Sequence, residues 1–521
     1  MGIMDTYQVL LAIIPPLLAI TLAIVTKQVI LSLFIAIFVG ATMLNFGNPW
    51  AGLFDTFFEY ILPGFVDVDH QRMICFCSFC GGLSLMLERG GGAEAFANAL
   101  SKNVVKTRRS GQVATWLGGV AIWFSDSTNP VLVGAIFRNI TDKLKISHEK
   151  LAYILDSTTA AVPTLFSLSA WGAYIIGVIG GFYQEISYSG NPTNDFLAGI
   201  PYQYYTIGSI AMVLIIALTG WDYGPMKRAE DRAFLTGQLT AEGAEVRTHA
   251  EKRELPEGAR PTIWNMIIPL VILIVLIFVG MAYTGDAAAN GFVGSLAEGS
   301  SLRSLVIAFF ITAVISGALS VRSKVMTAHE AVSTFIQGCC SMMEVLIIMM
   351  LAWGIGSVCS ACGTSAFIVS VCEGLLTPAT LCAIIFIAAC LTSFSTGSSW
   401  SVFAIFTPIA VSMALAIDAP VGMAIGVVLS GGIFGDHCSP ISDTTVLSSV
   451  GAGCNHIDHV KTQLPYALTV AAAALVGYLV TGFTGGGGFL GLIITLVLIC
   501  VIAFILNKKF GCASEANITK Q

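Results

Sequence analysis

The stretch FGDHCSPISDTT, residues 434–445, decides how this chain is read. It sets Asp436, His437, Pro440, Asp443 and several hydroxyls in a region that is otherwise almost wholly apolar. Composition names the solvent around it. Of 521 residues, 55% are hydrophobic and 11% are charged, and the mean hydropathy is +0.82. Soluble domains carry about 25% charged residues, so this deficit excludes a water-soluble enzyme. Apolar runs close to the ~20 residues that span hydrocarbon recur at 9–26, 29–46, 203–220, 263–283, 305–321, 464–482 and 489–506. The expectation is an all-α polytopic protein, multi-pass in the cell (inner) membrane, with membrane lipid as its surroundings.

Residues 1–8 carry no Lys or Arg, and the run that follows contains Pro15 and Pro16 and leads into a second span. It reads as a retained first helix rather than a cleaved signal. Two Cys-x-x-Cys pairs, Cys77–Cys80 and Cys359–Cys362, lie in apolar helical segments and read as small packing residues rather than metal or redox sites. The net charge of −6 says nothing about nucleic acid, no basic aromatic patch appears, and no nucleic-acid partner is expected. No cofactor is called for.

The positive charges set the topology. Lys102, Lys106, Arg108 and Arg109 form one cluster, and Arg138, Lys143, Lys145 and Lys150 a second; residues 221–262 hold seven more, and Lys508 and Lys509 open the tail. All are expected on the cytoplasmic side. Residues 221–262 also carry eight acidic residues and read as a solvated linker between transmembrane halves at 1–220 and 263–507, with 508–521 as a cytoplasmic tail. Residues 110–137 alone separate the first two clusters, and SDSTNP at 125–130 interrupts them. Two spans need about 40 residues, and one span would put the clusters on opposite sides. A re-entrant hairpin at 113–137 resolves this: in along 113–124, turning at 125–130, out along 131–137. The second half repeats the design at 381–413, with TSFSTGSSW, residues 392–400, as its tip. After each hairpin comes an interrupted helix: ILDSTTAAVPTLFSLSAWG, residues 154–172, and the opening stretch. The expected fold is therefore two inverted-topology repeats with paired re-entrant hairpins and interrupted helices. Such paired interruptions are the best sequence pointer to a transporter's central site.

Asp126, Asp156, Asp436 and Asp443 all fall in interrupted segments. A carboxylate at bilayer depth costs at least ~2.5–3.5 kcal/mol on insertion scales, so it is kept for a purpose. Carboxylates with hydroxyls and freed carbonyls make hard oxygen sites, suited to a dehydrated alkali cation or a proton. Pro440 removes a donor and, with 439–441 unwound, would liberate carbonyls. Asp and Ser also cap half-helices, a role that a ligand can share. His437 reads equally as a pH sensor and as a neutral hydrogen-bonding group. Glu344 reads as a proton carrier or as an interfacial acid. The hairpin tips offer Ser127, Thr128 and Asn129 in one half and Ser395, Thr396, Ser398 and Ser399 in the other. There, half-helix N-termini can meet an organic anion.

FGDHCSPISDTTVLSS, residues 434–449, resembles the signature of the NhaC-type sodium/proton antiporter family of the ion-transporter superfamily. RNITDKLKISHEKLAYILDSTTA, residues 138–160, is similar to that family's first-half signature, and LAWGIG at 351–356 is also similar. The resemblance covers nearly the whole chain. It implies a secondary transporter with scaffold and transport domains, usually a homodimer. It further implies that Asp436, Ser439, Ser442, Asp443 and Thr444 belong to a cation/proton site, with Na+ at Asp436 and Asp443, and that Asp156 and Ser157 lie opposite.

Two transport functions stay open at this point. The first is exchange of Na+ (or Li+) for H+ by alternating access. The second is Na+- or H+-coupled transport or exchange of a small carboxylate or amino acid. An intramembrane enzyme is not indicated: the flanks ILD and IFGD are not the Tyr-Asp and Gly-x-Gly-Asp of aspartyl intramembrane proteases, and Gly-x-Ser-Gly is absent.

Overall fold

In lipid every backbone N–H and C=O must find its partner inside the protein, which leaves helices as the economical choice for a chain this apolar. The computed structural model describes residues 6–26, 28–92, 94–96, 106–123, 126, 128–241, 256, 258–287, 295, 300–364, 367, 377–485 and 487–511. Among these the regular structure is helical throughout. Eight helices are long and apolar enough to cross a membrane, and two further pairs are bent by 44° and 47° at short breaks. The protein is a multi-pass membrane protein. Its lipid-facing surface is plain in the sequence of the outer helices. Trp264–Thr284 exposes Val271, Ile274, Val275 and Phe278, and Gly488–Phe510 exposes Ile493, Val497 and Val501.

The first hairpin has arms Arg108–Ala121 and Thr128–Lys143. At 1.5 Å per residue they reach roughly 21 and 24 Å, short of the ~30 Å hydrocarbon layer. The tip residues Phe124, Ser125 and Ser127 lie outside the described residues. The second hairpin has arms Pro378–Thr396 and Ser399–Ala416, joined at Gly397 in a left-handed conformation. These arms are longer than the 381–413 read from apolar composition, and each could cross the membrane by itself. The first begins earlier because a Thr377/Thr380 capping box satisfies its opening N–H groups.

The interrupted helices are His148–Thr159 followed by Ala170–Glu185, and Val421–Cys438 followed by Asp443–Ala452. Their packing crosses between the halves. Each hairpin lies against the leading helix of its own half and the trailing helix of the other. Thus Thr128–Lys143 packs on both His148–Thr159 and Asp443–Ala452, while Ser399–Ala416 packs on both Val421–Cys438 and Ala170–Glu185.

At one end of the molecule the charge clusters meet. The Arg108 guanidinium donates to the carbonyls of Leu144 (3.3 Å) and Lys145 and pairs with Glu230 at 2.7 Å. Lys150 pairs with Asp222, and Arg232 with Glu149 at 2.9 Å. Glu230 also accepts from the Ser147 N–H (2.8 Å) and hydroxyl (2.7 Å). Burial pushes the Glu230 carboxyl above the ordinary carboxylate range even with Lys150 and Arg108 beside it. The residues expected to be a solvated linker therefore begin as a docked helix, Gly224–Thr236, with Met226, Ala229 and Ala233 buried. A charge count cannot tell solvated charges from paired ones, which is why composition missed this helix. Residues 242–255 and 257 lie outside the described residues.

Removing one partner of a buried ion pair costs about 3–5 kcal/mol, because the other charge is left uncompensated. Glu230→Ala is expected to lower the thermal unfolding midpoint of the purified protein markedly. Glu230→Gln, which still accepts from Ser147, should lower it less. Identical midpoints for wild type and Glu230→Ala would show that the docked helix is not held by this pair.

Candidate ion-binding site

The second break builds the site. All 18 residues of Val421–Cys438 are buried. The helix ends because Ser439 turns extended, Pro440 has no N–H to continue it, and Ser442 is extended again before Asp443–Ala452 starts. Asp436 lies in the last turn before this break. Its Oδ2 accepts from the Ser399 hydroxyl at 2.5 Å; its Oδ1 accepts from Ser442 at 2.6 Å and Thr444 at 3.1 Å. The Asp436 N–H donates to Ser393 Oγ (3.1 Å), and its carbonyl accepts from Thr445 Oγ1 (3.0 Å). The carboxylate is thus gripped by the leading helix, the trailing helix and the second hairpin together. Gly435 makes this possible: a Cβ there would stand 2.0 Å from the backbone nitrogen of Phe394.

A second buried carboxylate faces this ring from the first half. Asp156 Oδ2 accepts from Gln463 Nε2 at 2.7 Å, and Oδ1 from the Ser448 hydroxyl at 3.4 Å. His459 Nε2 lies 3.7 Å from Oδ2. Gln463 also donates to the carbonyl of His437, while its Oε1 meets His459 Nε2 at 2.6 Å. Asp156 and Asp436 are close enough to feel each other's charge.

His437 touches neither carboxylate. Its Nε2 meets Ser157 Oγ at 2.8 Å and its Nδ1 meets the Tyr205 hydroxyl at 2.8 Å. Ser157 gives its own proton to the Tyr153 carbonyl (2.7 Å), so it accepts from Nε2, and Tyr205 is left to donate to Nδ1. The pattern is that of a neutral imidazole stitching the two breaks together.

The remaining expected site residues separate into those near the ring and those outside it. Asp443 is exposed at the first position of its helix, its Oδ1 accepting from Thr444 N at 3.1 Å. It is near enough for its charge to act on Asp436, but it is not part of the ring. Ser439 donates to the Phe394 carbonyl (2.8 Å) instead. The carbonyls expected to be freed by Pro440 are taken within the protein: that of Pro440 by His456 Nε2 (2.7 Å) and that of Ser439 by Ser442 N (3.3 Å). Asp126 accepts from Trp171 Nε1 at 2.8 Å, tying the first hairpin to Ala170–Glu185 rather than joining the cation site. Asn129 donates to the carbonyls of Gly119 (2.7 Å) and Ile122 (3.1 Å), closing the end of the first arm. Ser127 and the Thr128 side chain lie outside what is described. At the second tip Thr396 donates to the Thr392 carbonyl (2.9 Å), Ser398 gives its carbonyl to Ser401 (2.9 Å), and Ser395 is half-buried. Ser399 is the tip residue that reaches Asp436. Glu344 is exposed in the first turn of Met343–Ala361 and stands apart from the site.

Sequence reasoning missed Thr445, Ser448, His459, Gln463 and Tyr205. One signal was present: His459 and Gln463 are four residues apart, hence on one helix face, but the apolar run taken as the span starts after them. The helix itself begins earlier, at His456. Chemically, the ring supplies two carboxylate oxygens and three hydroxyls that can rotate their lone pairs inward. That set suits a small hard cation or a proton. Among the described residues no group of three or more His, Cys, Asp and Glu converges as a metal-holding cluster.

Residues 162–483 match the profile of the Na+/H+ antiporter family. An uncharacterized protein of Haemophilus influenzae is 35% identical over 98% of both chains. The malate-2H+/Na+-lactate antiporter of Bacillus subtilis is 30% identical over 18% of this chain and 20% of its own. Among solved structures, the YdaH transporter of Alcanivorax borkumensis superposes with a TM-score of 0.58 at 14% identity, covering 81% of this chain and 91% of that one, a likeness of fold.

Gln463→Leu would leave Asp156 Oδ2 and the His437 carbonyl without a shared donor. A buried acceptor stripped of its partner costs about 1–3 kcal/mol. The variant is expected to unfold at lower temperature than wild type, and Gln463→Glu to be worse still, because it sets an acid beside Asp156. A Gln463→Leu midpoint matching wild type would show that these acceptors are satisfied by other groups.

Proposed function

This chain belongs to the Na+/H+ antiporter family, and we propose that it exchanges Na+ (or Li+) for H+ by alternating access, with Asp436 as the carboxylate that cation and proton share. The observation that carries this reading is the ring of Ser399, Ser442 and Thr444 around Asp436. In the state seen here the three hydroxyls donate to the carboxylate. A cation entering the ring would turn those same hydroxyls from donors into ligands, while a proton would neutralise Asp436 and leave them in place. The two occupants compete because they need the same oxygens. Asp156, held by Gln463 and facing the ring, raises the electrostatic preference for holding a positive charge between the two halves. Because the ring joins both helices of the break and a hairpin, opening it toward either side requires those elements to part, which couples occupancy to conformation. Asp443, exposed beside the ring, attracts the cation without ligating it.

A second reading has one observation in its favour. Ser399–Ala416 begins without a side-chain cap, so its N–H groups can meet an anion. The name of the Bacillus subtilis relative sets malate and lactate beside H+ and Na+. On this reading a small carboxylate sits at the second tip, beside the cation at Asp436.

Proton flux into purified proteoliposomes under a Na+ gradient, without organic solute, tests the first reading. Robust flux is expected, with apparent Na+ affinity falling as pH drops. Asp436→Asn should abolish it. Asp443→Asn should weaken Na+ affinity by a modest factor, since a solvent-screened charge contributes about 1 kcal/mol or less. Flux that arises only when a carboxylate or amino acid is added would replace this reading with the second.

A further inference from the structure

One half-buried acid has no part in the site just described. Glu185 ends the trailing helix of the first half, Ala170–Glu185. Its Oε1 accepts from the Ser357 hydroxyl at 2.8 Å, while its Oε2 is buried with no hydrogen-bond partner among the described residues. Ser357 belongs to a different element, Met343–Ala361. Gly356 beside it is what admits the acid, since a Cβ there would lie 2.4 Å from Glu185 Oε2. A cavity of about 30 Å³ adjoins this contact, lined by Phe182 one turn before Glu185, by Gly356 and Cys359, and by Thr364 and Ser412. That is room for one water molecule.

A carboxylate with one hydroxyl donor and one bare oxygen cannot keep its charge cheaply in an apolar surround. No cation faces it. The titratable neighbour on Met343–Ala361 is Cys359, a free thiol. Thr6–Thr26 meets the cavity with Pro16 and Ala19, and Ser399–Ala416 meets it with Ile405, Pro408, Ile409 and Ser412, none of them titratable. On its own helix Tyr183 is committed to Asp195 at 2.8 Å, and the adjacent Gln184 reaches Asp67 at 3.2 Å. From Val68–Arg89, His70 is stacked on Trp353 with its Nδ1 on the Gly64 carbonyl. The group that best completes Glu185 here is a proton.

We propose that Glu185 is a second protonation site, separate from the Asp436 ring, which gains and loses one proton as Ala170–Glu185 shifts against Met343–Ala361, and so sets how many protons are exchanged per cation. The inference rests on the antiport reading above. Its physical basis is that the acid and its donor lie on opposite sides of a seam between two helices. Closed, the seam covers the bare Oε2 and favours the protonated acid; opened, it admits water to that oxygen and lets the proton leave.

Dicyclohexylcarbodiimide tests the protonation directly. A protonated carboxyl adds across one C=N bond: the carboxyl oxygen bonds to the central carbon, the proton goes to nitrogen, and the adduct rearranges to a stable N-acylurea with nothing expelled. Peptide mapping of the full-length protein in liposomes should find this adduct on Glu185 at acid pH, diminishing as pH rises and absent in Glu185→Gln. In parallel, the H+/Na+ ratio read from the reversal potential should be lower by one in Glu185→Gln than in wild type. No adduct on Glu185 at any pH overturns the proposal, as does an active Glu185→Gln with an unchanged ratio. If Glu185→Gln folds but does not transport, the labelling decides. Wild-type vesicles without any Na+/H+ exchange would sink the antiport reading instead, and the labelling would still report on Glu185.

Discussion

The structure is organised by the need to hold the Asp436 carboxylate in a low-dielectric interior with both oxygens answered. A single helix cannot do this, because its side chains point away from its own axis and its backbone groups are already spent. The donors must come from elsewhere, and they come from Ser399 on a hairpin and Ser442 and Thr444 beyond a break. The break itself follows from that demand. Had Val421–Cys438 continued through Pro440 as a regular helix, Ser442 would have been carried past Asp436 rather than turned back toward it. Gly435 serves the same end, since any larger residue would hold the hairpin off.

The exchange of partners between the halves follows from the same geometry. Each hairpin grips the leading helix of its own half and the trailing helix of the other. Neither half can therefore be drawn away without disturbing both breaks. His437 shows this at the level of atoms: it lies beside Asp436 in sequence, yet it bonds Ser157 and Tyr205 from the first half. Gln463 spans the same gap, reaching Asp156 and the His437 carbonyl with one amide.

How much of this could be read from letters depends on whether a residue acts where it stands or where the fold carries it. The membrane class, both hairpins and both interrupted helices follow from hydropathy, charge placement and Pro440, because those signals are local. Asp436 was legible as a carboxylate in an interrupted apolar segment, while Ser442 and Thr444 came with it through the resemblance of residues 434–449 to the family signature. Asp443 looked equivalent to Asp436 but starts a helix and faces outward; seven residues of separation across a break do not keep two side chains on one face. Gln463 and His459 escaped because they lie in the polar opening of a helix whose apolar run begins just after them. The docked helix Gly224–Thr236 escaped because its charges look like those of a solvated segment until Arg108 and Glu149 are seen to pair with Glu230 and Arg232, and Lys150 with Asp222 just before the helix.

The two polar networks differ in kind, and the difference bears on how the molecule could move. At the charged end, ion pairs fix Arg108–Ala121, His148–Thr159 and Gly224–Thr236 against one another, and breaking any pair strands a buried charge. Around Asp436 the contacts are hydroxyls on one carboxylate, each with a proton that can be redirected by rotation about a single bond. Separating a hydroxyl from a carboxylate that has taken up a proton or a cation costs far less than separating two opposite charges. The charged end is therefore suited to act as the fixed point, and the hydroxyl ring as the part that can be opened and remade. An ion that changed the charge of that ring would act on a network whose contacts can be remade by bond rotation.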